Sequence, residues 1–167
     1  MKDNKNYIIR SAHLGDAMAI FYLIQAHKDD LIVRPLGDII SNIDRFIVCE
    51  ASAVIEGCAS WQIIPEIGDP SKASVEIQSV AVNSSFRKIN IGTQLVTTIM
   101  ESVKRFKPHQ AIVLTFAPEF FSKQGFIQVP KTSVMHKLYM GCINCTKHAN
   151  PFTCPEIAMT YDFHFDG

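Results

Sequence analysis

The order of strand and helix signals along the chain predicts an α+β protein. Runs of period two, read as strands, fall at the beginning, middle and end, and helical spacing appears only between some of them. The resulting order, β-α-α-β-β-β-α-β-α-β-β, is mixed rather than a regular βαβ alternation. The 167 residues suffice for one domain with a core of its own, so residues 1–167 are expected to form a single domain, with a cysteine-containing tail from about residue 131 onward. There is no internal repeat and no low-complexity segment.

Composition narrows the function classes. Apolar residues make up 47% and charged residues 19%, which fits a soluble globular protein. Lys plus Arg equals Asp plus Glu at 16 each. That balance argues against nucleic acid or an anionic membrane surface as partner, and any anion site must be a local arrangement of charge. No apolar run approaches the roughly 18 residues of a membrane span, and the first residues lead into no signal-like segment. A cytoplasmic location is expected. The five cysteines are then reduced thiols or metal ligands.

The elements follow in order. Residues 7–12 alternate as a short strand. Residues 13–28 place Leu14, Met18, Phe21, Tyr22 and Ile24 at mostly helical spacing, with Asp16 near the start, where it suits the helix dipole. Pro35 disfavours helix at Arg34, so residues 31–36 read as a connector. Residues 38–44 form a second short helix. Strand runs at 45–50 and 53–64 are broken by Ala51-Ser52, and residues 65–74 form a loop. From Val75, alternation resumes to Val82. Asn83-Ser84-Ser85 are turn formers, and Ile91, Leu95, Ile99, Met100 and Val103 recur at helical spacing before Pro108. A buried strand at 111–115, a short helix at 118–124 stopped by Gly125, and strands at 126–129 and 156–163 complete the chain.

The stretch Val75 to Gly92, VEIQSVAVNSSFRKINIG, carries the functional signal. A loop that opens a helix offers unpaired backbone N–H groups and the positive end of a dipole. Arg87 and Lys88 add positive charge there, although cations are disfavoured at a helix N-terminus. That misfit favours an anionic ligand such as a phosphate over a merely solvated basic turn.

This stretch resembles the acetyl-CoA signature of the GNAT acyltransferase superfamily. The matching positions are Val80-Ala81-Val82, then Arg87-x-x-Asn90-x-Gly92. Asn90 stands where the family usually has glycine, and Asn is the non-glycine residue that best tolerates left-handed backbone angles. The resemblance covers roughly residues 7–163. It implies a central, mostly antiparallel sheet, flanked by helices and splayed where the cofactor enters. It also implies acetyl-CoA as co-substrate, with its pyrophosphate on Arg87, Lys88, Ile89, Asn90, Ile91, Gly92 and Thr93. Its pantetheine arm would pair with the edge of Val80, Ala81 and Val82, and the Val80 amide would meet the developing oxyanion. The alternative for these valines is ordinary core packing.

Three further stretches are similar to the short, stand-alone form of N-acetylglutamate synthase, an amino-acid N-acetyltransferase. They are Leu31-Ile32-Val33-Arg34, Leu114-Thr115 leading into Pro118-Glu119-Phe120-Phe121, and the tail with His136-Lys137, Cys142-x-x-Cys145 and Cys154. The gap from Cys145 to Cys154 is longer than that group leads one to expect. The resemblance implies acetyl transfer from acetyl-CoA to the amine of L-glutamate, the entry step of arginine biosynthesis.

Glu76 is the candidate general base, at the acidic position the family uses. A free carboxyl near about 4.3 is a poor base for an ammonium, so the site must raise it or work through water. Its alternative is an exposed strand carboxylate. Arg34 is the candidate for a substrate carboxylate, since a guanidinium fork pairs carboxylates bidentately; the alternative is an ion pair with Asp38. Gln78 and Lys137 are further candidates for the same pocket. Thr115 could protonate the departing thiolate, or simply cap the next turn. Phe120 and Phe121 stand where many GNAT enzymes place a tyrosine, and neither can donate.

Cys142, Cys145 and Cys154, with His148 or His136, are a candidate set for a structural zinc, because C-x₂-C brings two thiolates together. The alternative is three reduced cysteines in a loop-rich tail. Cys49 and Cys58 lie in strand runs as small core residues. Two rival functions stay open. One is a GNAT transferase for another amine: glutamine, a polyamine or a protein amine. The other is a non-catalytic acyl-CoA or zinc-binding module. The partner expected is a small-molecule amino acid, and a homodimer is a common outcome in the family.

Overall fold

A computed structural model describes residues 6–66, 68–142, 145, 147, 148 and 150–166. The fold is α+β, a seven-stranded sheet in the order β1-β2-β3-β4-β5-β7-β6 flanked by helices. The strands are β1 (Ile8–Ser11), β2 (Phe46–Ala51), β3 (Val54–Ile64), β4 (Ser74–Val82), β5 (Gln110–Thr115), β6 (Ile127–Gln128) and β7 (Ile157–Asp162). The pairs β1–β2, β2–β3, β5–β7 and β6–β7 are antiparallel, and β4–β5 is parallel. The chain divides into two compact units: Met1–Trp61 with Ile77–Ser102, and Gln62–Glu76 with Val103–Gly167. Strands β3 and β4 run through both.

The first unit packs helix α1 (Ala17–Ala26) and the short α2 (Leu36–Ser41) against its strands. Ala17, Ile20, Leu23 and Ile24 of α1 meet Ile39, Phe46, Val48, Cys58 and Ala81 in one apolar cluster. Cys49 and Cys58 are buried thiols, as their place in strand runs implied. Burial pushes them up, to about 11 and about 12. The β2–β3 turn comes one residue later than the break at Ala51-Ser52 suggested. Ser52 and Ala53 both take positive φ, as the right-handed strand twist asks of a two-residue hairpin. Arg10 clamps Asp16 with Nη1 at 2.7 Å and Nη2 at 2.9 Å, and reaches Glu50 through Nε at 2.7 Å. The guanidinium holds the Asp16 carboxyl below its ordinary range.

Helix α3 (Ile91–Val103) buries Ile91, Leu95, Ile99 and Val103 of the stripe its spacing predicted, with Met100 half-buried, and buries Val96 besides. Gly57 of β3 lets the helix come close, since a Cβ there would lie 3.2 Å from the Ile91 and Leu95 side chains. Where a plain turn was expected, residues Ser84–Ile89 wind a 3-10 helix ending on Asn90 at φ +62° and ψ +20°. This is the left-handed conformation in which Asn replaces glycine at least cost. Asn90→Gly is therefore expected to be nearly neutral. Asn90→Val, β-branched at positive φ, should destabilise by about 1–3 kcal/mol in urea unfolding.

The second unit has a smaller cluster of Ile112, Val134 and Ala158, with Leu114 and Val129 packed on it. Helix α4 (Pro118–Ser122) ends before Gly125 at φ +90°, where the Phe126 amide returns to the Phe121 carbonyl at 3.2 Å. Residues Lys131–Cys142, which show no helical periodicity, form a 3-10 turn, a short helix α5 (Met135–Lys137) and a π-helical turn Leu138–Cys142. Such single turns are stabilised by tertiary packing, not by a repeating apolar stripe.

His136 of α5 is buried and meets Ser74 Oγ through Nε2 at 3.0 Å, and Ser74 Oγ also accepts from Gln110 Nε2 at 3.3 Å. Burial, with help from His109 and against Glu66, holds His136 below the ordinary histidine value. The unfolded chain takes up that proton from about pH 6.5 downward, the folded chain only at lower pH. The stabilisation is thus complete above about pH 6.5 and lost as pH falls through the folded value. Urea unfolding from pH 7 down to 5 should show a stability slope that His136→Asn flattens.

Candidate active site

Strand β4 departs from simple alternation. Ser74, Val75, Glu76 and Ile77 are all buried, although Glu76 is charged. A carboxylate is kept inside only with partners, and Glu76 has such partners on elements of its own unit. Its Oε1 lies 2.6 Å from Lys137 Nζ, both side chains being 6% exposed, and its Oε2 accepts from Gln62 Nε2 at 2.7 Å. The exposed-carboxylate alternative for Glu76 is therefore excluded. Lys137 sits at the end of α5, and Gln62 near the end of β3. Gln62 escaped the sequence reading, although a single amide inside the apolar run Cys58 to Ile64 was its one signal.

In the first unit, Ser79 takes φ +52° within β4, a left-handed residue that breaks the pleat directly before Val80. Beyond it come Val82, the 3-10 turn and left-handed Asn90. The Asn90 carbonyl accepts from the Gln94 amide at 3.0 Å, so Ile91, Gly92 and Thr93 supply the first-turn amides that α-helical bonding leaves over. Arg87 Nε donates to the Val82 carbonyl at 3.2 Å, and its Nη2 meets His27 Nε2 at 3.0 Å. His27 Nδ1 in turn faces the Leu23 carbonyl at 2.8 Å, so Nδ1 carries the proton and Nε2 accepts from Arg87. His27 is a second residue the sequence did not single out. This loop, a left-handed cap feeding a helix N-terminus with Arg87 beside it, has the donor set that a pyrophosphate needs.

Two other candidates, Arg34 and Thr115, sit where their alternatives put them. Arg34 Nε pairs with Asp38 Oδ2 at 2.6 Å and its Nη1 donates to Ser60 Oγ at 3.0 Å, with the guanidinium 5.1 Å above the Phe46 ring. Thr115 Oγ accepts from the Ala117 amide at 2.8 Å and so caps the turn after β5. The Gln78 carbonyl accepts from Ser60 Oγ at 3.4 Å.

The candidate zinc set finds no support in the structure. Among the described residues no three of His, Cys, Asp or Glu come together as a metal set, and Cys142, Cys145, Cys154, His136 and His148 are all described. The Cys154 thiol instead faces Glu156 Oε2 at 3.6 Å, while Lys131 Nζ donates to the Pro151 and Cys154 carbonyls. Burial pushes Cys142 and Cys154 upward as thiols. Cysteine spacing brings two sulfurs near each other, but a tetrahedral site needs four converging ligands.

Residues 42–128, more than half the chain, match the family model of the acetyltransferase (GNAT) domain. The chain belongs to the GNAT acetyltransferases. That region holds Glu76, Thr115 and the whole β4–α3 loop, whereas Arg34, Lys137 and the tail cysteines lie outside it. Among relatives of this GNAT chain, an uncharacterized N-acetyltransferase of Chlorobaculum tepidum is 29% identical over 153 residues, covering 90% of this chain and 93% of that protein. An amino-acid acetyltransferase of Aeromonas salmonicida is 31% identical over 120 residues, 70% of this chain but 26% of that protein. N-acetylglutamate synthase from Neisseria gonorrhoeae, crystallised with coenzyme A and N-acetyl-glutamate, superposes with a TM-score of 0.76 at 19% identity, covering 96% of this chain and 36% of that one. At such identity the likeness speaks for the fold. No helix among the described residues is long and apolar enough to cross a membrane.

Proposed function

We propose that this GNAT protein moves an acetyl group from acetyl-CoA to the amine of L-glutamate, with Glu76 as general base. The observation that carries the reading is the buried Glu76, oriented on β4 by Lys137 and Gln62. The amino-acid acetyltransferase of Aeromonas and the glutamate-product complex of the Neisseria synthase point to the same acceptor class.

Acetyl-CoA supplies an activated thioester. The chain's own groups do the rest. The first-turn amides of Ile91, Gly92 and Thr93, with Arg87 and Lys88, hold the pyrophosphate. Asn90 gives the loop its left-handed turn. The Val80 amide, next to the kink at Ser79, donates to the charge that develops on the carbonyl oxygen. Glu76 takes a proton from the acceptor ammonium, which makes the amine a nucleophile. Transfer is direct: the neutral amine attacks the thioester carbonyl, CoA leaves as the thiol, and no covalent enzyme intermediate is needed.

The test is thiol release from acetyl-CoA with L-glutamate, L-glutamine, L-aspartate, spermidine and a small peptide, each product identified by mass. N-acetyl-L-glutamate as the preferred product supports the reading. Preference for spermidine or the peptide overturns the acceptor. No turnover with any amine despite acetyl-CoA binding overturns the transferase and leaves an acyl-CoA-binding module.

A further inference from the structure

The Glu76–Lys137 pair poses a chemical problem for a base. A protonated carboxyl no longer attracts an ammonium. When Glu76 accepts a proton, Lys137, 6% exposed, is therefore left as a buried cation without its anion. That state is costly. Gln62 is neutral and cannot replace the charge. Cys142 lies in the field of Lys137, Glu76, Glu156 and Cys145, and burial keeps it a neutral thiol.

The ammonium is also placed with care. A Cβ at Gly141, within the π-helical turn Leu138–Cys142, would come to 2.6 Å from Lys137 Nζ. The absence of a side chain at that position is what gives Nζ its seat. A π turn of this kind often marks a functional position.

We propose that Lys137 selects acceptors that carry a carboxylate, by exchanging Glu76 for the acceptor's own carboxylate; this rests on the reading of Glu76 as the base. The acceptor enters as a carboxylate bearing an ammonium. Its carboxylate takes Lys137 Nζ, Glu76 is released, and the ammonium proton passes to Glu76. Charge balances at each stage: one cation keeps one anion, one proton moves, and the amine becomes neutral. An alkylamine without a carboxylate offers no exchange and leaves Lys137 unpaired.

The test uses the full chain and glutarate, a dicarboxylate with no amine. Titration calorimetry near neutral pH, in two buffers of different ionisation enthalpy, counts protons taken up on binding. Wild type should bind glutarate with net uptake of up to about one proton. Glu76→Gln should bind without uptake. Gly141→Ala, which can fold by swinging only the flexible end of Lys137 aside, should weaken binding by roughly tenfold or more. Lys137→Met should lose uptake, and the neutral pair E76Q/K137M covers the case in which the single variant fails to fold. In turnover, the preference for L-glutamate over propylamine should collapse in Gly141→Ala. No glutarate binding, binding without proton uptake, or an unchanged preference in Gly141→Ala would each overturn the exchange. Proton-linked glutarate binding without acetylation of any amine would leave the exchange standing and overturn the transferase reading instead.

Discussion

Glu76→Gln is expected to lower kcat with L-glutamate by about 10²–10⁴-fold, the usual worth of a positioned general base. The amide has nearly the size of the carboxylate and can still accept from Lys137 through its oxygen. Gln62 can turn its own amide to accept from the new NH₂, since an amide both donates and accepts. Volume and hydrogen bonding are therefore conserved, while Lys137 loses its counter-ion, so the variant is expected to lose stability as well as proton transfer. Two readouts separate this from general damage. The variant should keep its affinity for acetyl-CoA, because the pyrophosphate loop and α3 do not include residue 76. Its residual rate should also rise with pH as free amine becomes available without a base. A variant that retains wild-type kcat would move the base elsewhere.

Lys137→Met is expected to cost about 3–5 kcal/mol of folding stability, because it strands the Glu76 carboxylate in a buried site. The pair is close, at 2.6 Å, and both side chains are 6% exposed, so solvent screens it little. The double variant E76Q/K137M should recover most of that loss, since two neutral groups of similar volume carry no uncompensated charge. Urea unfolding of the two single variants and the double gives the coupling directly. Additive losses would mean that the ion pair contributes nothing specific and that each side chain merely packs. The Arg34–Asp38 pair is a useful contrast: Asp38 is 42% exposed, so breaking that pair should cost far less.

Local signals were read correctly where a backbone rule governs them. Gly125 ends α4 because only a residue free to adopt positive φ can make that turn, and the same rule let Asn90 stand in for glycine. The α3 stripe was legible because 3.6-residue periodicity places Ile91, Leu95 and Ile99 on one face. The turns of residues 131–142 were not legible, because none is long enough to show a period. Arg34 and Thr115 each carried two readings, evenly weighted for Arg34 and leaning to the turn cap for Thr115. Their partners, Asp38 with Ser60 and the Ala117 amide, came from the folded chain.

By itself the sequence determined the α+β order, the strand–loop–helix from Val75 onward and the left-handed turn at Asn90, because each depends on residues close together in the chain. Only the tertiary structure decided that Glu76 is buried, that Lys137 and Gln62 hold it, and that the tail cysteines gather no metal set among the described residues. The physical reason is one and the same. Burial and pairing of charge depend on which distant side chains converge, and strand or helix periodicity encodes the face a residue points from, not the partner that will meet it there.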